Sequence, residues 1–242
     1  MRKGLVLFLI FAARALFAQG TDNPLILQDI QIKLGVSPEL VFNRTLGAKS
    51  LAKAWVNVEW KDTVDFECGY GLDMTHGFTD AYYFGAGWKN IFGSGAGVTL
   101  KFLSDPAGEY GFAANSIIPY AEYRLCGFHI RLGVNFRFTV TGADIWNIFA
   151  YNTPIIEQLL YYSAGYKFSF FEGKYTLDLE LANHERMFAG NFGNYGFYLK
   201  NAYAFDDKWN LSLDIGLINA GSIALSSVSY KLKIGLGVEL IW

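Results

Sequence analysis

Long stretches of this chain alternate apolar and polar residues with a period of two, as the two faces of a β-strand require. The C-terminal segment shows this most clearly, because the even positions from Val228 to Trp242 are apolar or aromatic. The odd positions before Ile241 are polar or glycine, and segment 128–140 repeats the pattern. An α-helix would need a period near 3.6, which neither segment shows. The pattern therefore predicts an all-β chain.

Applied along the whole chain, this periodicity predicts twelve antiparallel strands, with ten as the alternative count. The predicted strands are residues 29–42, 54–60, 64–74, 81–89, 97–103, 116–125, 128–140, 158–170, 175–182, 195–205, 209–218 and 228–242. Short turns and longer loops then alternate as connections. The predicted longer loops lie near residues 43–53, 75–80, 104–115, 141–157, 183–194 and 219–227. An even strand count with short turns at one end is typical of a membrane-spanning β-barrel.

Aromatic residues in the outward phase collect at one end of the predicted strands, next to the short turns. They are Trp60, Trp88, Phe128, Phe170, Tyr175, Phe205, Trp209 and Trp242. Aromatic rings prefer the interface between hydrocarbon and headgroups, so these residues predict a girdle on the periplasmic side. A soluble β-sandwich is the alternative, but it has no need of aromatic residues at one end of every strand.

The final strand, from Tyr230 to Trp242, combines this alternation with a C-terminal aromatic residue. In this it resembles bacterial outer-membrane β-barrel proteins of a small, porin-like kind with about twelve strands. The resemblance covers the whole mature chain, although members end more often in Phe than in Trp. It implies an antiparallel up-and-down barrel in the lipid bilayer of the cell outer membrane. It also implies recognition of the C-terminal strand by the outer-membrane assembly machinery.

Composition and the N-terminus agree with an exported membrane protein. Charged residues make up 17% of the 242 residues, against about 25% in soluble domains. The net charge of −2 argues against nucleic acid as a partner. Arg2 and Lys3 precede a short apolar run and a small residue, Ala18, which is the layout of a secretory signal. The predicted organisation is a signal peptide at residues 1–18 and a barrel at residues 19–242.

Charged residues in the inward phase are the candidate solute-contacting groups of the lumen. They are Glu59, Asp65, Glu67, Asp73, Arg124, His129, Arg131, Arg137, Lys231 and Lys233. An acidic sector facing a basic sector would bias a pore toward particular solutes. The alternative is that the charges form structural ion pairs in a closed lumen. Inward glycines such as Gly35, Gly69 and Gly133 favour a lumen with free space.

The preferred function is a passive channel for small polar solutes. The alternative is a structural or adhesive barrel with a plugged lumen, whose surface loops, at 141–157 and 183–194, bind partners. An outer-membrane hydrolase is less favoured, because His184 has no serine nearby in phase and no Asp-x-His motif occurs. The chain is therefore not expected to be an enzyme, and no metal or cofactor is predicted, since metal-ligand spacings and phosphate-binding loops are missing from the sequence.

Overall fold

The computed structural model describes residues 30–43, 47–75, 80–107, 112–141, 155–185, 188–189, 195–219 and 230–242. The predicted signal peptide, residues 1–18, lies outside the described residues. The strands are β1 (Ile30–Asn43), β2 (Gly47–Trp60), β3 (Val64–Asp73), β4 (Asp80–Trp88), β5 (Ala96–Ala107), β6 (Phe112–Leu125), β7 (Phe128–Thr141), β8 (Ile155–Phe170), β9 (Tyr175–Ala182), β10 (His184–Glu185), β11 (Phe188–Ala189), β12 (Gly196–Ala204), β13 (Trp209–Asn219) and β14 (Tyr230–Ile241). A 3₁₀ turn spans Ile91–Gly93.

Within the described residues, twelve of these strands form one closed antiparallel barrel in the order β1-β14-β13-β12-β9-β8-β7-β6-β5-β4-β3-β2. Strands β1 and β14 close it, with Leu34 opposite Leu240 and Phe42 opposite Leu232. Closure pairs the backbone groups of both edge strands, which hydrocarbon cannot hydrate. The predicted all-β, twelve-stranded barrel is confirmed. No described helix is long and apolar enough to cross a bilayer.

The outer wall of the barrel is an exposed apolar surface. Leu100, Leu132 and Leu236 lie on three different strands, and each is more than half exposed. Their strand neighbours Lys101, Arg131 and Gly235 point the other way, as the period of two requires. An apolar surface of this extent is unfavourable in water but suits contact with lipid chains.

Two connections are shorter than the sequence predicts. Strand β2 already begins at Gly47, β5 extends to Ala107, and β6 begins at Phe112. The predicted longer loops at 43–53 and 104–115 are therefore wrong. Small and polar side chains weaken the alternation in these segments, but backbone pairing continues regardless of side-chain polarity. The proposed alternation of short turns and longer loops consequently fails at these two positions.

All eight predicted girdle residues lie next to the short turns, which define the turn end of the barrel. Seven of them are exposed, and Tyr175 is half-buried. The Tyr175 hydroxyl donates a hydrogen bond of 2.7 Å to Asn201 Oδ1, and Asn201 Nδ2 donates one of 3.0 Å to the Leu213 carbonyl. These bonds satisfy a polar amide on the otherwise apolar outward face of β12.

We expect Leu236→Arg to lower the free energy of unfolding by about 2–4 kcal/mol, because the guanidinium would replace an apolar group near the middle of the bilayer. Leu236→Met is the control, since it keeps an apolar side chain of similar volume and should cost less than about 1.5 kcal/mol. Denaturant titration of the barrel in lipid vesicles, followed by tryptophan fluorescence, measures both. Equal stability of the two variants would contradict a lipid-facing position.

Candidate functional site in the barrel lumen

The chain leaves the barrel wall at Asn183 and turns into the lumen. The Asn183 backbone N–H donates to the Tyr162 carbonyl at 3.2 Å. Its side-chain Oδ1 accepts from the Tyr162 N–H at 2.9 Å, and Nδ2 donates to the Leu160 carbonyl at 2.6 Å. The amide side chain thus pairs with β8 in the way that a continuing strand would. The next residues are therefore released from the wall, while β9 itself stays paired with β8 on one side and β12 on the other.

The released residues form a short hairpin, in which β10 pairs with β11. His184 is buried, and its ring stacks on Tyr161 of β8 with a centroid distance of 3.9 Å and an interplanar angle of 8°. This hairpin lies outside the twelve wall strands. Burial, and secondly the charge of Arg131, hold the pKa of His184 well below its usual value. The imidazole is therefore neutral and serves as a packing surface.

Glu185 completes a buried cluster of four charges, which we call the Glu185 cluster: Glu39, Lys53, Glu185 and Lys233. Lys53 Nζ lies 2.7 Å from Glu39 Oε2 and 3.5 Å from Glu185 Oε2. Lys233 Nζ lies 3.2 Å from Glu39 Oε1 and also contacts Glu185 Oε2. Burial alone would raise the pKa of Glu185, but the charges of Lys233 and Lys53 outweigh it and lower the pKa. Both carboxylates are thus placed between two cations.

An apolar cluster lies beside the hairpin. Its buried members are Tyr83, Leu103, Ile118 and Tyr161, with Trp55 and Tyr120 packed against them. These side chains come from five wall strands: β2, β4, β5, β6 and β8.

Inward glycines make room for these aromatic rings. A Cβ at Gly69 would lie 2.4 Å from the Tyr83 ring, and one at Gly35 would lie 2.1 Å from the Trp55 ring. A Cβ at Gly133 would instead lie 2.3 Å from the Pro119 carbonyl oxygen and 2.5 Å from the Tyr120 Cβ. The expectation that these glycines leave free space in the lumen is therefore wrong, because rings fill the space at Gly35 and Gly69 and atoms of the neighbouring strand fill it at Gly133.

Several of the predicted basic residues lie close to carboxylates on the same strand or on a strand one or two places away in the barrel. Arg131 lies 3.3 Å from Glu122 and 3.4 Å from Glu180, and Glu180 also contacts Lys200. Arg124 lies 3.1 Å from Glu122. Outside this group, His129 Nε2 lies at hydrogen-bond distance, 2.8 Å, from Asp178 Oδ1, and Arg137 lies 3.6 Å from Glu157.

The predicted acidic residues are neutralised in the same local way. Glu59 lies 3.1 Å from Lys33 and 3.7 Å from Lys89, and Asp65 lies 3.3 Å from Lys89. Asp73 pairs with Lys49 at 2.6 Å, and Glu67 accepts a hydrogen bond of 2.7 Å from the Tyr83 hydroxyl. Lys231 lies apart from these contacts, half-buried opposite Ile218. The geometry therefore favours the alternative of structural ion pairs over two opposed sectors.

Several lumen charges nevertheless remain in contact with solvent toward the turn end. Side-chain exposure is 51% for Arg124, 40% for Lys200 and 28% for Lys33. We call the space around them the vestibule.

Sequence analysis named Lys233 of the Glu185 cluster but missed its other three members, and it also missed two carboxylates that pair with the predicted arginines. Glu122 and Glu180 share the inward phase of their strands, so phase alone was sufficient to find them. Lys53 fell in a segment predicted as a loop. Glu185 reaches the lumen only because the chain turns inward at Asn183, and strand periodicity carries no signal for that turn. Among the described residues, no group of three or more His, Cys, Asp or Glu side chains is arranged to hold a metal ion.

The fold of this chain is similar to those of several solved structures. A scan against protein-family models found no match, and neither did a search of curated proteins. The KdgM porin in complex with disordered oligogalacturonate aligns with a TM-score of 0.54 and 10% identity, over 85% of this chain and 98% of that one. The NanC porin aligns at 0.53 and 6% identity, over 85% and 98%.

An outer membrane channel from Pseudomonas putida F1 aligns with a TM-score of 0.53 and 7% identity, over 88% of this chain and 96% of that one. The fold is that of a bacterial outer-membrane β-barrel. With its apolar wall, this fold places the protein in the lipid bilayer of the cell outer membrane.

We expect Asn183→Ala to destabilise the barrel by about 1–3 kcal/mol, because it leaves the Tyr162 N–H and the Leu160 carbonyl without their side-chain partner. Asn210→Ala is the control, since Asn210 makes only a long hydrogen bond of 3.4 Å to Glu239. Amide hydrogen exchange at Tyr162 should accelerate in the first variant alone. An unchanged exchange rate would contradict the role of Asn183 as a substitute for strand backbone.

Proposed function

We propose that this protein is a narrow passive channel for small polar solutes, whose bore is reduced by the inward hairpin. The observation that carries this proposal is the vestibule. Charged side chains there are exposed to solvent inside a barrel whose outer wall faces lipid. A barrel needed only as a scaffold has no use for solvated charges within its lumen.

The hairpin that closes part of the lumen is held by contacts that a solute can replace. The hairpin is attached to the wall through ion pairs, one ring stack, the hydrogen bond from Lys101 to the Glu185 carbonyl and the hydrogen bonds of Asn183. Buried ion pairs are costly to break unless another charged group takes the place of the lost partner, which a solute ion in the lumen would do. A twelve-stranded barrel is also intermediate in width between eight-stranded barrels filled by side chains and sixteen-stranded open porins.

The similar solved structures also support a channel. Two of the similar folds are described as porins and a third as an outer membrane channel. The oligogalacturonate in the KdgM complex is an acidic sugar polymer, which fits solute passage through barrels of this size. At these identities the likeness concerns the fold, so the lumen residues of this chain carry the argument.

A structural or adhesive barrel with a plugged lumen is the second candidate. The buried apolar cluster favours it, because Tyr83, Leu103, Ile118 and Tyr161 exclude water from part of the cross-section. The loop at 141–157, which lies largely outside the described residues, would then supply a partner-binding surface. This candidate requires that the lumen stays closed to ions at all voltages.

We further infer an interfacial role for the eight aromatic residues of the turn end, and recognition of β14 by the outer-membrane assembly machinery. Both depend on the export that the N-terminal residues predict. Seven exposed rings next to the short turns support the first inference, since Trp and Tyr settle at the level of lipid headgroups.

Recording single channels in planar bilayers tests the channel directly. The wild type should give small, discrete conductance steps. Replacing residues 184–189 by a Gly-Ser link should raise the step size at least threefold, because it removes the hairpin from the bore. Protein denatured before addition is the control for detergent artefacts. A wild type and a hairpin-free variant that are both silent, although folded, would favour the plugged barrel instead.

A further inference from the structure

The Glu185 cluster is balanced only while the hairpin is in the lumen. Lys53 and Lys233 are wall residues of β2 and β14, and Glu39 belongs to the wall strand β1. These three fixed groups carry one net positive charge. Glu185 supplies the missing negative charge from a strand of two residues that is not part of the wall.

Other wall groups also converge on Glu185. Lys101 of β5 donates a hydrogen bond of 3.3 Å from Nζ to the Glu185 carbonyl oxygen. The side chain of Tyr198, on β12, hydrogen-bonds to Glu185 as well. Donors from β2, β5, β12 and β14 therefore surround one position in the lumen. Strand pairing in the closed barrel fixes the backbone positions of these donors independently of the hairpin.

This position borders the vestibule. Lys200 Nζ lies 5.8 Å from the centroid of the Tyr198 ring, and its side chain is 40% exposed. The path from Lys200 past Tyr198 to Glu185 therefore leads from a solvated group to a buried one. A solute that enters the vestibule meets a cation first and the Glu185 position next.

We infer that the Glu185 carboxylate occupies a binding site for a carboxylate-bearing solute, formed by Lys53, Lys233, Lys101 and Tyr198. The side chain stands in for the ligand and closes the bore in its absence. An anionic solute competes with Glu185 for the two lysines and so displaces the hairpin. The inference deepens the proposed channel function and rests on it.

Isothermal titration calorimetry of the full mature chain, folded in detergent micelles, tests the site without requiring conduction. The probes are D-galacturonate and its neutral counterpart D-galactose. We expect Glu185→Ala to bind galacturonate at least tenfold more tightly than the wild type, because the internal competitor is gone. Galactose should bind neither protein measurably. Glu172→Ala is the matched control, since Glu172 lies exposed in the short turn that precedes β9, at the opposite end of that strand from the hairpin.

Two further variants make the outcome decisive. Glu185→Gln removes the charge but keeps the size of the side chain, so it serves as the test where Glu185→Ala fails to fold. It should also strengthen galacturonate binding. Adding Lys233→Gln to either variant should return the affinity to the wild-type level or below. Equal affinity of the wild type and both Glu185 variants would overturn the inference. So would tighter binding that persists without Lys233, or equal gains for galactose.

Bilayer recording then separates this inference from the proposed function. A channel that conducts, but whose Glu185 variants show no gain in galacturonate affinity, would overturn the site and leave the channel intact. Tighter galacturonate binding in a barrel that never conducts would overturn the channel and support the site as a binding site alone.

Discussion

Every feature of this structure depends on one constraint: backbone N–H and C=O groups in hydrocarbon have no water to pair with. A sheet meets that constraint only by closing on itself, here through β1 and β14. Closure divides the side chains into an outer set that contacts lipid and an inner set that shares one confined space. The alternation seen along the chain is the direct result of that division.

The same constraint explains how the chain can leave the wall beside the middle of β8. A strand that ended abruptly after Ala182 would leave the Tyr162 N–H and the Leu160 carbonyl of β8 without partners. The side chain of Asn183 supplies both a donor and an acceptor at that place. The hairpin can then occupy the lumen at little cost in backbone pairing, and its charges meet those of the wall.

The sequence predicted the fold more fully than the site. Strand β9 has the predicted bounds of 175 and 182, because its apolar and polar residues alternate without interruption. The first half of β2 was missed, since small and polar residues from Ala48 to Lys53 blur the two faces. For the lumen, phase identified which charges point inward. Which charges meet depends on the order of strands around the barrel and on the inward turn at Asn183, which no local pattern encodes.

The position of the Glu185 cluster has a consequence for assembly. Glu39 and Lys233 belong to the first and last strands, whose pairing is the seam that seals the barrel. Glu185 precedes the final strand in the chain, so it can bridge to the seam only after synthesis of that strand is complete. The contacts that fill the lumen therefore also join the first strand to the last, and they stabilise the finished cylinder over an open, curved sheet.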